Sequence, residues 1–129
     1  MARMLWLVIA AGGALGAAAR HGLNVALHSR FLSATFPAGI FVVNVVGCAT
    51  VGLLAGLLAV ERFEAGEYLR AFVFVGVLGG FTTFSSFGLD TLVLARGGQA
   101  GLAAFNAVGQ PVVGLAAVWL GFAAGSWRP

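Results

Sequence analysis

Four apolar runs, each long enough to cross a bilayer as a helix, leave this chain almost no other way to fold. They extend roughly over residues 4–27, 37–60, 69–95 and 99–127. About 20 apolar residues suffice for a helix to traverse ~30 Å of hydrocarbon, and every run exceeds that length. The connections are short: HSRFLSATF, ERFEAGEY and RGG. Composition agrees, with 60% hydrophobic and 9% charged residues where a soluble domain carries about 25% charge. The expected fold is an all-α membrane protein, a single transmembrane domain over residues 1–129 with four transmembrane helices. Residues 1–19 also carry the outline of a signal peptide, with an early arginine, an apolar centre and a small-residue end. The expectation kept is a retained first span.

Charge placement bears on topology. With four spans, both termini and the 61–68 loop share one side, which holds Arg3, Arg62, Arg70 and Arg128. The other side holds Arg30 and Arg96, with Arg20 near the interface. Orientation normally follows a clear Lys/Arg excess in cytoplasmic loops. A near balance leaves two readings open: insertion both ways round, allowing an antiparallel dimer, or simple sparseness of charge. The arginines form no basic stripe, so nucleic acid is not indicated.

Glycines four apart recur in every span: Gly12–Gly16, Gly52–Gly56, Gly76–Gly80 and Gly121–Gly125. Close backbone approach replaces the missing hydrophobic drive between helices in lipid, so tight packing is expected, including between subunits. A pore is expected to need two copies, because one small bundle has little interior volume. Cys48 is alone, which excludes an intramolecular disulfide, and is expected as a small buried thiol. His21 and His28 lack companions at ligand spacing and read as interfacial. No Ser/His/Asp grouping, carboxylate pair or P-loop appears, so an enzyme is not expected.

Polar groups inside spans mark partners or wet cavities. Here they are Arg20, Asn24, Asn44, Thr50, Thr82, Thr83, Ser85, Ser86, Asp90, Thr91, Asn106 and Gln110. Asn44 has two readings, interhelical glue or an N–H donor to a permeating anion. The third span is interrupted by GGFTTFSSF at 79–87. Gly79–Gly80 is where the helix is expected to unwind, freeing carbonyls; such backbone survives at membrane depth only when buried or lining a cavity. Thr82 and Thr83 are expected to replace lost hydrogen bonds or to help cage a hard cation in oxygens. Phe84 and Phe87 share a face, either as packing or as positively polarised ring edges meeting a small anion.

GGFTTFSSF followed by Asp90, with VVNVVG at 42–47 and GGALGAAAR at 12–20, resembles the Fluc (CrcB-type) fluoride channel family over essentially the whole chain. The resemblance implies a broken third helix and a dual-topology, antiparallel homodimer in a bacterial-type cytoplasmic membrane. Two narrow fluoride pores would run along its subunit interface and give fluoride resistance. It implies a central sodium ion held by backbone carbonyls, here of Gly79 and Thr82 from each subunit, and no organic cofactor. The anion pathway would fall on Asn44, Phe84 and Phe87, with Ser85 and Ser86 beside them. Arg20, Thr83 and Asp90 would be supporting polar residues, Asp90 being one methylene shorter than the usual glutamate.

This chain departs from the family pattern in two places. Ile40 stands where a threonine usually precedes the asparagine by four. Asn106, Gln110 and Gly114 stand where the fourth span usually carries Tyr, Ser and Ser. Asn106 and Gln110 still offer donors to the pathway at i, i+4. Some relatives pair non-identical subunits, which keeps a heterodimer open. Two other classes also remain, a small multidrug-type proton-coupled exporter and a non-transporting scaffold subunit. The exporter needs a membrane carboxylate, which the first span lacks.

Overall fold

In the computed structural model, residues 2–31, 36–62 and 64–128 are described, with backbone alone for Ala2 and residues 28–31. Most of the first connection, and the side chains of His28 and Arg30, lie outside the described residues. The described residues are helical without strands: α1 (Ala2–Phe31), α2 (Ala38–Ala59), α3 (67–81), α4 (Phe84–Arg96) and α5 (Ala100–Ser126). Helices α3 and α4 together make the third apolar span, Glu67–Arg96, so four spans have the length and composition to cross a membrane.

These segments are helical because lipid supplies no hydrogen-bond partners and the backbone must satisfy itself. Their surfaces follow the same rule. Trp6, Leu7, Leu115 and Trp119 are all largely exposed, as suits side chains whose solvent is hydrocarbon. Between the third and fourth spans the chain reverses within the RGG stretch. The Gly98 N–H donates to the Ala95 carbonyl and the Gln99 N–H to the Leu94 carbonyl. This reversal puts Gly98 at φ 78°, a left-handed position that favours glycine.

The glycine pairs decide which helices touch. A Cβ on Gly12 would lie 2.6 Å from the Phe72 carbonyl oxygen, one on Gly16 would strike the Val77 carbonyl, and one on Gly80 would lie 2.5 Å from the Gly13 carbonyl oxygen. Likewise Gly52 and Gly56 face the Val118 and Phe122 carbonyls, while Gly121 and Gly125 face those of Ala49 and Leu53. So α1 packs on α3 and α2 packs on α5, glycine face to glycine face. The expectation that these faces also serve contacts between subunits is corrected here, because all eight are filled by backbone of the same chain.

Two backbone features are not where the sequence suggests. Within α3, Ala71–Leu78 is wound as a π-helix, for which the sequence carries no signal. Gly79–Gly80 does not unwind: Gly79 has φ −65°, ψ −35°, and helical winding continues through Phe81. The physical reason is packing, since Gly80 is pressed against Gly13 and stays in the α1 contact. Helical geometry stops instead at Thr82 (φ −81°, ψ 155°) and Thr83 (φ −152°, ψ 118°).

Candidate functional site

The departure from helix at Thr82 and Thr83 organises everything polar nearby. In a continuous helix the Thr83 N–H would donate to the Gly79 carbonyl. It donates instead to Asn44 Oδ1 on α2, at 2.9 Å. The Ser86 N–H, which would otherwise serve the Thr82 carbonyl, donates to Thr83 Oγ1 at 3.3 Å. Gly79 and Thr82 are thus two carbonyls whose helical donors have been drawn elsewhere.

Thr83 is the N-cap of α4, and its hydroxyl is shared widely. It donates to Ser86 Oγ at 3.2 Å and lies 3.1 Å from Ser85 Oγ. Hydroxyl N-caps of this kind satisfy one of the orphan N–H groups of a helix start. The Thr82 hydroxyl turns back to donate to the Leu78 carbonyl at 3.0 Å. Of the two hydroxyls only that of Thr83 replaces a lost helical bond, at the Ser86 N–H; that of Thr82 adds a second donor to a carbonyl that already accepts from the Thr82 N–H.

Asn44 is fully engaged. While its Oδ1 accepts from the Thr83 N–H, its Nδ2 donates to the Thr83 carbonyl at 3.1 Å and to Gln110 Oε1 at 2.6 Å. An amide has two N–H donors, and both are spent. Gln110 Nε2 donates to Asn106 Oδ1 at 3.2 Å, and Asn106 Nδ2 donates to Thr91 Oγ1 at 2.9 Å. The Thr91 hydroxyl in turn donates to the Phe87 carbonyl at 2.8 Å. Asn106 is completely buried and Gln110 nearly so. Polar residues in the fourth span thus bond to each other and to the third span across the helix interface.

Beside this network runs an open groove of about 570 Å³, whose wall includes Asn44, Gly79, Thr82, Phe84, Phe87 and Gln110. The rings of Phe84 and Phe87 are 5.3 Å apart and tilted by 46°. Phe84 is 81% exposed, so it projects from the groove rather than packing into the chain's own core. Pro111 also lines it; lacking an N–H, it cannot donate to the Ala107 carbonyl one turn back.

The sequence-derived residues divide accordingly. Asn44, Gly79, Thr82, Thr83, Phe84, Phe87 and Gln110 meet at the groove. Asn106, Ser85 and Ser86 are not on its wall and are attached to it through Gln110 or Thr83. Arg20 on α1 and Asp90 on α4 are not on its wall, and Asp90 Oδ2 is buried without a hydrogen-bond partner. Cys48, expected as a buried thiol, is only partly buried and lines the groove, because its neighbour across the interface is Gly114, which has no side chain to cover it. In the sequence Thr91 is only one polar residue among many, yet it anchors the far end of the network. Its spacing of four from Phe87 is the signal that places its hydroxyl on that carbonyl.

Comparison with known proteins decides the family. A family model described as "CrcB-like protein, Camphor Resistance (CrcB)" matches residues 7–122. The chain belongs to the CrcB family. Among curated relatives, the "Fluoride-specific ion channel FluC" of Methylobacillus flagellatus is 47% identical over 116 residues, covering 90% of each chain. The protein of that name from Opitutus terrae is 52% identical over 118 residues, covering 91% of this chain and 89% of the relative. "Fluoride-specific ion channel FluC 2" of Nitrobacter hamburgensis is 44% identical, covering 93% and 95%. With four apolar spans and this kinship, the CrcB chain is a multi-pass membrane protein.

Proposed function

We propose that this CrcB-family chain is a fluoride-selective channel that lets fluoride leave the cell passively across the cytoplasmic membrane and so confers fluoride resistance. The observation that carries the reading is the groove in which Phe84 and Phe87 stand beside the Thr82–Thr83 departure from helix, in a chain whose relatives bear the fluoride channel name. Fluoride is small and strongly hydrated, so a selective path must replace its water while staying too narrow for chloride. Ring edges carry partial positive charge and meet the ion without a fixed counter-charge that would trap it. Asn44 and Gln110 stand on the polar wall of that path, with Asn106 held through Gln110 and Ser85 and Ser86 held through Thr83. No reaction is catalysed. An inside-negative potential drives the anion outward by roughly 2.3 kcal/mol per 100 mV.

The functional unit is an antiparallel dimer of this chain. Its groove is open and Phe84 is exposed, so a second copy is what closes the path. In this reading a structural sodium ion sits between the copies, held by the Gly79 and Thr82 carbonyls of each. Those carbonyls suit a hard cation, and their helical donors are diverted to Asn44 and Thr83. Such an ion, held by these carbonyls, would supply fixed positive charge between the copies. Arg20 and Asp90 support the assembly from outside the groove.

The deciding experiment is efflux from liposomes read with a fluoride electrode. Purified dimer should release fluoride far above protein-free liposomes and release no chloride above background. Fluoride efflux equal to that of empty liposomes, with folded dimer verified, would sink the proposal.

A further inference from the structure

Most hydrogen bonds of a side-chain amide can be reversed by a half-turn of the group, but here none can. Asn44 spans one residue, accepting from the Thr83 N–H and donating to the Thr83 carbonyl. The backbone therefore fixes which end of Asn44 carries oxygen. Its remaining N–H must point to an acceptor, so Gln110 presents Oε1. That leaves Gln110 Nε2 toward Asn106, which must present Oδ1. Asn106 Nδ2 then meets the Thr91 oxygen, whose hydrogen goes to the Phe87 carbonyl. Each orientation follows from the one before. The chain of bonds begins and ends on the backbone of the same span, at Thr83 and Phe87, and passes through α2 and α5 between.

We infer that Gln110, with Asn106 and Thr91, is a positioning relay that clamps the Thr82–Thr83 backbone in its extended form, rather than a row of donors to the ion. The essential property of Gln110 is an acceptor facing Asn44. Without it, one Asn44 N–H loses its acceptor on the groove wall, and the amide is free to leave Thr83. The Thr83 N–H is then released toward its helical partner, the Gly79 carbonyl. This explains why the fourth-span residues are buried against α2 and α4 although they are strongly polar. The inference deepens the channel reading, since the clamped backbone is the one that carries the proposed ion ligands.

The test is hydrogen exchange at the Thr83 amide, followed by NMR on threonine-labelled, full-length protein in lipid nanodiscs. Gln110→Met keeps length and shape but removes the acceptor. It should speed Thr83 exchange roughly fivefold to tenfold, the value of about one buried hydrogen bond. Gln110→Glu, taken up as the neutral acid, keeps a carbonyl acceptor toward Asn44 and an O–H that donates to Asn106 Oδ1 as the amide does, so no other group need turn. Exchange in this variant should stay within about twofold of wild type. If position 110 only fills space, the order inverts: Met is tolerated and a buried carboxylate is not. Exchange in Gln110→Glu equal to or faster than in Gln110→Met overturns the relay. Thr91→Val, at the accessible end, should raise Thr83 exchange about twofold. No rise in that variant also overturns the relay, and decides the matter should Gln110→Met not fold. Exchange is read without fluoride. A wild type that conducts nothing but keeps this rank order refutes the channel and leaves the relay standing.

Discussion

Replacing Asn44 with aspartate swaps one N–H₂ for an oxygen at nearly constant volume, which makes it a sharp probe of the site. The bond from the Thr83 N–H survives, because a carboxylate still accepts. The two donations, to the Thr83 carbonyl at 3.1 Å and to Gln110 Oε1 at 2.6 Å, become contacts between oxygens. Side-chain hydrogen bonds between membrane helices average about 0.6 kcal/mol and reach about 1.7, so their loss costs roughly 1–3 kcal/mol. A charge deep in a span adds about 2.5–3.5 kcal/mol. Asn44→Ala loses all of these bonds, roughly 2 kcal/mol on the same scale, but adds no charge and no repulsion. Asn44→Asp should therefore be the less stable of the two by about 1.5–4.5 kcal/mol. Denaturant titration of detergent-solubilised protein, followed by tryptophan fluorescence, measures the difference. Fluoride efflux from liposomes should fall at least tenfold in Asn44→Asp. Aspartate at least as stable as alanine would mean that the Asn44 donors are not engaged as described.

Two further outcomes test other parts of the structure. Phe84→Ile and Phe87→Ile should abolish fluoride efflux while leaving the dimer intact on size-exclusion chromatography, since Phe84 packs little within its own chain; wild-type rates in both variants would return the rings to ordinary packing. Gly121→Leu should prevent folding, because even its Cβ would strike the Ala49 carbonyl, whereas Gly101→Ala meets nothing within 4 Å and should raise stability by up to ~1 kcal/mol through helix propensity, a contrast read by the same titration.

How much of this was legible in the residues depends on the reach of each signal. The four spans are written in local hydropathy, and α2 matches its run almost end to end. The third-span interruption is legible too, but displaced. Glycine marks where a helix is permitted to unwind, while the actual departure is set by an amide 39 residues away. Asn44 offers Thr83 a partner that local sequence cannot announce. The same holds for Gln110 and Asn106, whose i, i+4 spacing is visible although their bond to each other and to Thr91 depends on which helices become neighbours. The glycine pairs are plain as motifs, yet nothing in a GxxxG pair names its opposite face.

That opposite face has a consequence for how the protein is made. The partners alternate along the chain, first with third and second with fourth. No two consecutive spans form a principal pair, so a ribosome delivering them in order cannot complete either contact with what has just emerged. The first span must wait in lipid, glycine face bare, until the third arrives, and the second must wait for the fourth. Biogenesis of this chain is thus a late interlocking of two halves. A chain shortened by its last span would leave the second helix permanently unmatched, a natural substrate for membrane quality control.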